Sequence, residues 1–137
     1  YKSMIFDPEK EKMENGMRLL IRKMSSASAI RSPQVDIVTK YIKRDRSSSV
    51  IVCGDFNDSP ISYTCNRFGK DLISSYVESG NGPGFSYSKD LFYVRIDHVF
   101  HSKNLKSYAT QIDRSIKTSD HYPLITYIHK GNLDAKY

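Results

Sequence analysis

The chain has 137 residues, enough for one domain with a real core, and its 39% hydrophobic and 26% charged content is that of an ordinary globular protein, not a disordered or collagenous one. A formal net charge of +6 favours polyanionic partners, whether nucleic acid, phosphorylated small molecules or anionic lipid surfaces. Two cysteines without a CxxC or Cys/His cluster exclude a disulfide scaffold and argue against zinc, and no apolar run reaches the roughly 20 residues that span a bilayer.

Asp7-Pro8-Glu9 reads as an N-cap, an N1 proline and an acidic first turn. Met13, Met17, Leu20, Ile21 and Met24 follow at spacings of three and four, which predicts an amphipathic helix with core-facing methionines. Ser25-Ser26-Ala27-Ser28 predicts a weak point, and Ser32-Pro33 restarts a helix with Val35, Val38, Tyr41 and Ile42 on one face. The basic run from Lys40 to Arg46 reads as a solvated helix end whose cations complement the dipole. After a Ser47-Ser48-Ser49 loop, Val50 to Cys53 predicts a buried strand, with Cys53 as a small buried hydrophobe.

Ser62 to Phe68 and Leu72 to Glu78 predict two short helices. The second ends at Ser79-Gly80-Asn81-Gly82-Pro83-Gly84, a turn-rich loop whose spacing fits neither dinucleotide nor Walker phosphate cradles. Three strand-like runs follow, Tyr93 to Phe100, Tyr108 to Ile112 and Leu124 to His129. The element pattern predicts an α/β (α+β) fold without internal repeats.

Chemistry-bearing residues punctuate the strands. The Val50 run stops at Gly54 and presents Asp55 and Asn57, which as side chains two apart on an extended segment share one face. The ordinary alternative is an Asx turn, for which Asp, Asn, Ser and Pro are common residues. In Arg95-Ile96-Asp97-His98, Arg95 and Asp97 share a strand face and His98 takes the other. Ser119-Asp120-His121-Tyr122-Pro123 opens the last strand. Singly, Asp97 has an edge-strand pairing with Arg95 as its plain explanation, and Ser119-Asp120 a turn. A serine nucleophile at Ser119 with His121 as base is a rival reading, disfavoured by the absence of a G-x-S-x-G elbow.

Gly54-Asp55-Phe56-Asn57, Arg95-Ile96-Asp97-His98 and Ser119-Asp120-His121-Tyr122-Pro123, standing in this order, resemble the motifs of the endonuclease/exonuclease/phosphatase family. Its members include pancreatic-type deoxyribonucleases, apurinic endonucleases, sphingomyelinases and inositol polyphosphate 5-phosphatases. The resemblance runs from about Arg31 to Ile128, with residues 1–30 as a helical lead-in and 31–129 as the motif-bearing part. It implies half of a four-layer α/β/β/α sandwich of the deoxyribonuclease-like type, with residues 1–137 as one partial, C-terminal half-domain. Carried residue by residue, it makes Asp55 the group that orients or deprotonates the attacking water and Asn57 the group that holds the phosphate or nucleophile. Asp120 becomes a metal ligand, His121 the contact to a non-bridging phosphate oxygen, and Asp97 the acceptor that fixes the His121 ring.

The implied function is metal-dependent hydrolysis of phosphoesters in nucleic acid, phospholipid or small molecules. The implied cofactor is Mg²⁺, with Mn²⁺ as alternative, because a hard ion that keeps several waters needs few protein ligands. The Tyr93-Val94-Arg95-Ile96-Asp97 segment lacks the W-C-D-R type of sequence usual in the inositide subgroup, which lowers the weight of those substrates.

Where the family's first half supplies an Asn and a Glu as further site groups, Glu9, Glu11 and Glu14 stand at a helix start and do not replace them. The expectation is therefore a fragment of a longer polypeptide, poor at holding metal and inactive by itself. It would bury its open sheet face against its N-terminal half or in a homo-oligomeric or swapped assembly. The alternatives are a catalytically silent half-domain that binds a partner or polyanion, and a structural module with coincidental motifs. No signal-like segment opens the given chain, so it carries no address.

Overall fold

The structure, a computed structural model, describes residues 8–44, 48–89 and 92–131. Helix α1 runs unbroken from Pro8 to Arg44, with Pro33 inside it. The expected break at Ser25 to Ser28 does not occur. The Ser26 hydroxyl instead donates back to the carbonyls of Arg22 and Lys23 at 2.9 and 3.1 Å, so its polar group is satisfied without leaving the helix. Pro33 costs one backbone donor, but the turns after it are anchored by packing. The N-cap expected at Asp7 lies outside the described residues, as do the side chains of the Met13 to Met24 stripe.

The face that α1 buries is set one position round from the expected one. Val35 and Thr39 are buried and Ile42 packs against the core, whereas Val38 and Tyr41 are exposed. The partner is helix α2 (Tyr63–Gly69), started by Ser62, whose hydroxyl accepts from the Cys65 N–H. An ion pair joins the two helices, Arg67 to Asp36 at 3.0 Å, and Lys43 of α1 pairs with Asp71, just past the end of α2, at 3.3 Å.

Both helices cover one face of a three-stranded antiparallel sheet of order β1 (Ile51–Asp55), β5 (Asp97–His101), β2 (Ile73–Ser74). The core between them consists of Val35, Cys65, Phe68, Leu72 and Phe100, flanked by Ile42, Val52 and Phe56. Cys53 is exposed, contrary to expectation. Strand β1 is an edge strand covered on one face, so Val52 turns inward and its neighbours Ile51 and Cys53 turn out.

Two further expectations change. The run Leu72 to Glu78 begins as β2 and only then turns into helix α3 (Ser75–Ser79). The run Tyr93 to Phe100 is two strands: β4 (Phe92–Val94) pairs with β3 (Tyr87–Lys89), and β5 pairs with β1 and β2. Strands β6 (Leu105–Ile112) and β7 (Leu124–Lys130) form the remaining sheet, with a bulge at Ala109 (φ 48°).

Helix α3 is tied to β5 and β6 by Glu78, whose carboxylate accepts from His101 Nε2, Ser107 N and Ser107 Oγ at 3.0, 2.7 and 2.7 Å and pairs with Lys106 at 2.9 Å. The glycine-rich loop wraps Tyr76: a Cβ at Gly84 would stand 2.2 Å from the ring, and the Arg95 guanidinium lies 4.2 Å from the ring centroid on top of it.

Candidate active site

The register of one strand pair builds the site. Asp55 is the last residue of β1 and Asp97 the first of β5, and the two are direct antiparallel partners. Like charges placed opposite each other destabilise a sheet. Two facing carboxylates at adjoining strand ends therefore need partners that offset their charge.

On both sides of Asp55 the backbone takes positive φ. Gly54 has φ 155°, and Asn57 has φ 48°, a left-handed conformation that Asn adopts more readily than most residues. The Asp55 carboxylate accepts from the Asn57 backbone N–H at 2.8 Å and from the Asn57 side-chain amide at 2.9 Å. The Asx turn and the shared site thus coexist: the turn brings the amide onto the carboxylate.

Three groups hold this turn from behind. Phe56 inserts into the core, its ring 5.5, 5.4 and 6.0 Å from those of Phe68, His98 and Phe100. The buried Asp58 carboxylate accepts from Thr64 Oγ1 at 2.6 Å and pairs with Arg31 at 3.3 Å, and Arg31 also donates to the Asn57 carbonyl at 3.1 Å. His98, buried on the face opposite Asp97, meets the Asp58 carbonyl at 2.8 Å through Nε2. Burial lowers the His98 pKa, which favours the neutral ring, and since a carbonyl only accepts, the contact puts a proton on Nε2.

His121 completes the cluster. Its Nδ1 lies 2.9 Å from Asp97 Oδ2, leaving Nε2 for a ligand. Burial works against its charged form, but the hydrogen bond to Asp97 and the charges of Asp97, Asp55 and Asp120 prevail and raise its pKa. Ligand atoms of Asp55, Asp97 and His121 all lie within 4.8 Å of one another.

Asp120 stands outside that group, exposed, with its carboxylate accepting from Ser119 Oγ at 3.3 Å and its backbone carbonyl accepting from the Ser88 N–H. Ser119 Oγ also accepts from the His121 backbone N–H and makes no bond to the imidazole, so the serine-nucleophile reading has no base. Arg95 does not pair with Asp97 either. It lies outside the strands, stacks on Tyr76 and donates to the Pro83 carbonyl at 3.2 Å.

Asp55, Asn57, Asp97 and His121 are thus brought together, with Asp120 beside them. Sequence reading gave no site role to Arg31, Asp58 or His98, whose contacts at the turn reach mostly across the fold, Arg31 to Asp58 and Asn57 and His98 to Asp58. Two of them stood where a signal could have been sought, Asp58 directly after Asn57 and His98 directly after Asp97.

Comparison with known proteins fits this picture. The model of the endonuclease/exonuclease/phosphatase family matches residues 14–121, a span that contains all five of those residues. The chain belongs to this family, whose general chemistry is hydrolysis of phosphoesters of the nuclease and phosphatase type. The fold is similar to the crystal structure of an endonuclease/exonuclease/phosphatase family protein from Bacteroides thetaiotaomicron, with TM-score 0.61 and 20% identity. The match covers 77% of this chain and 47% of that one, so the chain spans less than half of that protein's length. No curated protein matches the chain. Among the described residues, no helix is long and apolar enough to cross a membrane.

Proposed function

We propose that this chain carries the carboxylate–histidine half of a metal-dependent phosphoesterase site acting on a phosphodiester or phosphomonoester within a longer domain. The observation that carries the reading is the facing pair Asp55 and Asp97 with His121 bound to one of them.

Family membership implies a divalent metal, and the two carboxylates of the Asp55, Asp97 and His121 group suit a hard one: oxygen donors, partly solvent-facing, too few to strip an ion of all its water. The carboxylates of Asp55 and Asp97 are the pair that the geometry favours, with Asp120 as the further carboxylate that the family resemblance assigns to the ion. Such an ion, Mg²⁺ or Mn²⁺, would supply charge stabilisation at the phosphate. The chain's own residues do the rest. Asp55, its carboxylate fixed by the Asn57 amides, orients a water for attack and accepts its proton. Asn57 uses its remaining amide hydrogen on the phosphate. His121, its charged form favoured by Asp97, donates from Nε2 to a non-bridging phosphate oxygen, where negative charge grows as the ester breaks.

The substrate partner is a phosphate-containing molecule, in keeping with the net charge of +6. The partner surface for the open sheet face is the other half of the same domain or a second copy of the chain. The test is hydrolysis of a model phosphodiester and of DNA by the intact protein, with and without chelator. Asp55→Asn and His121→Gln should each lower the rate by about 100-fold or more. Equal rates in wild type and both variants would reject the assignment.

A further inference from the structure

We infer that Ser86 is a positioning residue that holds Asp97 and His121 in register with each other. The inference rests on the roles just proposed for that pair, but its geometry stands apart from them.

Asp97 and His121 come from segments 24 residues apart in the sequence, and their 2.9 Å bond depends on how those segments are aligned. Ser86 touches both. Its hydroxyl, fully buried, accepts from the backbone N–H groups of Ile96 and Asp97, each at 3.1 Å. These two amides lie where the chain passes from β4 to β5, at the break between two ladders. A side chain replaces the missing strand partner there, since a buried backbone donor left unpaired is costly. On its other side the Ser86 carbonyl accepts from the Tyr122 N–H at 2.7 Å, and the Ser86 N–H donates to the Val94 carbonyl at 3.1 Å.

The next two residues extend the clip. Tyr87 bridges His121 in antiparallel fashion and sets its ring edge-on to the imidazole at 5.2 Å. Ser88 N–H donates to the Asp120 carbonyl at 3.1 Å. One short segment therefore binds the backbone on both sides of His121 while its first hydroxyl fixes the backbone of Asp97. Alanine at 86 would keep the strand-like carbonyl bonds but free the Ile96–Asp97 peptide to shift, and shifts of about 1 Å at a reacting group can cost on the order of 100-fold in rate.

The test uses three measurements on the intact protein. In wild type, the Ile96, Asp97 and Tyr122 amides should exchange with solvent deuterium as slowly as those paired within β5; fast exchange at Ile96 and Asp97 would overturn the inference without any variant. In Ser86→Ala, the downfield imidazole N–H resonance that marks the His121–Asp97 bond, assigned by its loss in His121→Gln, should broaden or vanish. Ser107→Ala, which removes a buried hydroxyl at the Glu78 network, should leave it in place. In hydrolysis, Ser86→Ala should lower kcat by about 10- to 100-fold with KM within about twofold. An unchanged resonance with unchanged kcat would refute the positioning role. A lost resonance in a protein whose wild type hydrolyses no phosphoester would uphold the clip and reject the phosphoesterase reading.

Discussion

Phe56 sits between the two proposed water- and phosphate-handling residues, and its own side chain points the other way, into the core. Replacing it with alanine removes a ring that meets Phe68, His98 and Phe100 at centroid distances of 5.5, 5.4 and 6.0 Å. Full burial would put a Phe→Ala change at about 3–5 kcal/mol. Phe56 is only partly buried, so about 2–3 kcal/mol is the expected loss. With an m-value of about 1–3 kcal/mol per M in urea, the midpoint should fall by roughly 0.7–3 M at unchanged m. Phe56→Leu keeps most of the volume and should cost about 1 kcal/mol. Equilibrium urea unfolding followed by far-UV circular dichroism reads both. A midpoint for Phe56→Ala within about 0.3 M of wild type would refute the claim that the ring seats the Asp55–Asn57 turn on the core.

Gly84 has φ 65° and no room for a Cβ, which would meet Tyr76 Cζ at 2.2 Å, so Gly84→Ala should cost about 2–4 kcal/mol. Gly82→Ala, at φ 72° but in open space, should cost only about 1 kcal/mol, and thermal unfolding of the pair separates strain from clash. Arg31→Met removes the partner of the buried Asp58 and the donor to the Asn57 carbonyl, and a loss of about 2–3 kcal/mol is expected, below the full cost of breaking a buried pair because Arg31 is partly exposed. For Glu78, burial raises the pKa but the bonds from Ser107 and Lys106 outweigh it and hold it at about 2, against an ordinary 4.5. Its stabilisation is complete above about pH 4.5 and is lost as pH falls toward 2, so the stability gap between wild type and Glu78→Gln should narrow across that window. A gap that stays constant from pH 6 to pH 2.5 would show the network contributes nothing through ionisation.

How much of this was legible in the sequence follows from the range of the interactions involved. The short helix begun near Ser62, the strand over Val50 to Cys53 and the last strand from Leu124 depend on neighbours a few residues away, and the residue pattern carried them, with the first strand running on to Asp55. The motifs themselves announced Asp55, Asn57, Asp97 and His121. The exposure of Cys53 was not legible, because an apolar run is the same whether a strand is covered on one face or two, and that is decided by where the strand lies in the sheet. The continuity of α1 through Ser26 and Pro33 was hidden for a related reason: tertiary anchoring at Val35 and Thr39 overrode weak local signals. Most of all, the register that sets Asp55 opposite Asp97 joins residues 42 apart, and Ser86, an unremarkable serine after a glycine-rich loop, gains its role only from what the fold brings to it.

The most direct test of the central claim is a crystal structure of the intact protein grown with Mn²⁺ and inorganic phosphate, read by anomalous scattering. The account predicts a manganese peak in coordination contact with carboxylate oxygens of the Asp55, Asp97 and Asp120 set, and a phosphate oxygen within hydrogen-bond distance of His121 Nε2. Manganese bound away from these carboxylates, or phosphate bound without His121, would contradict it.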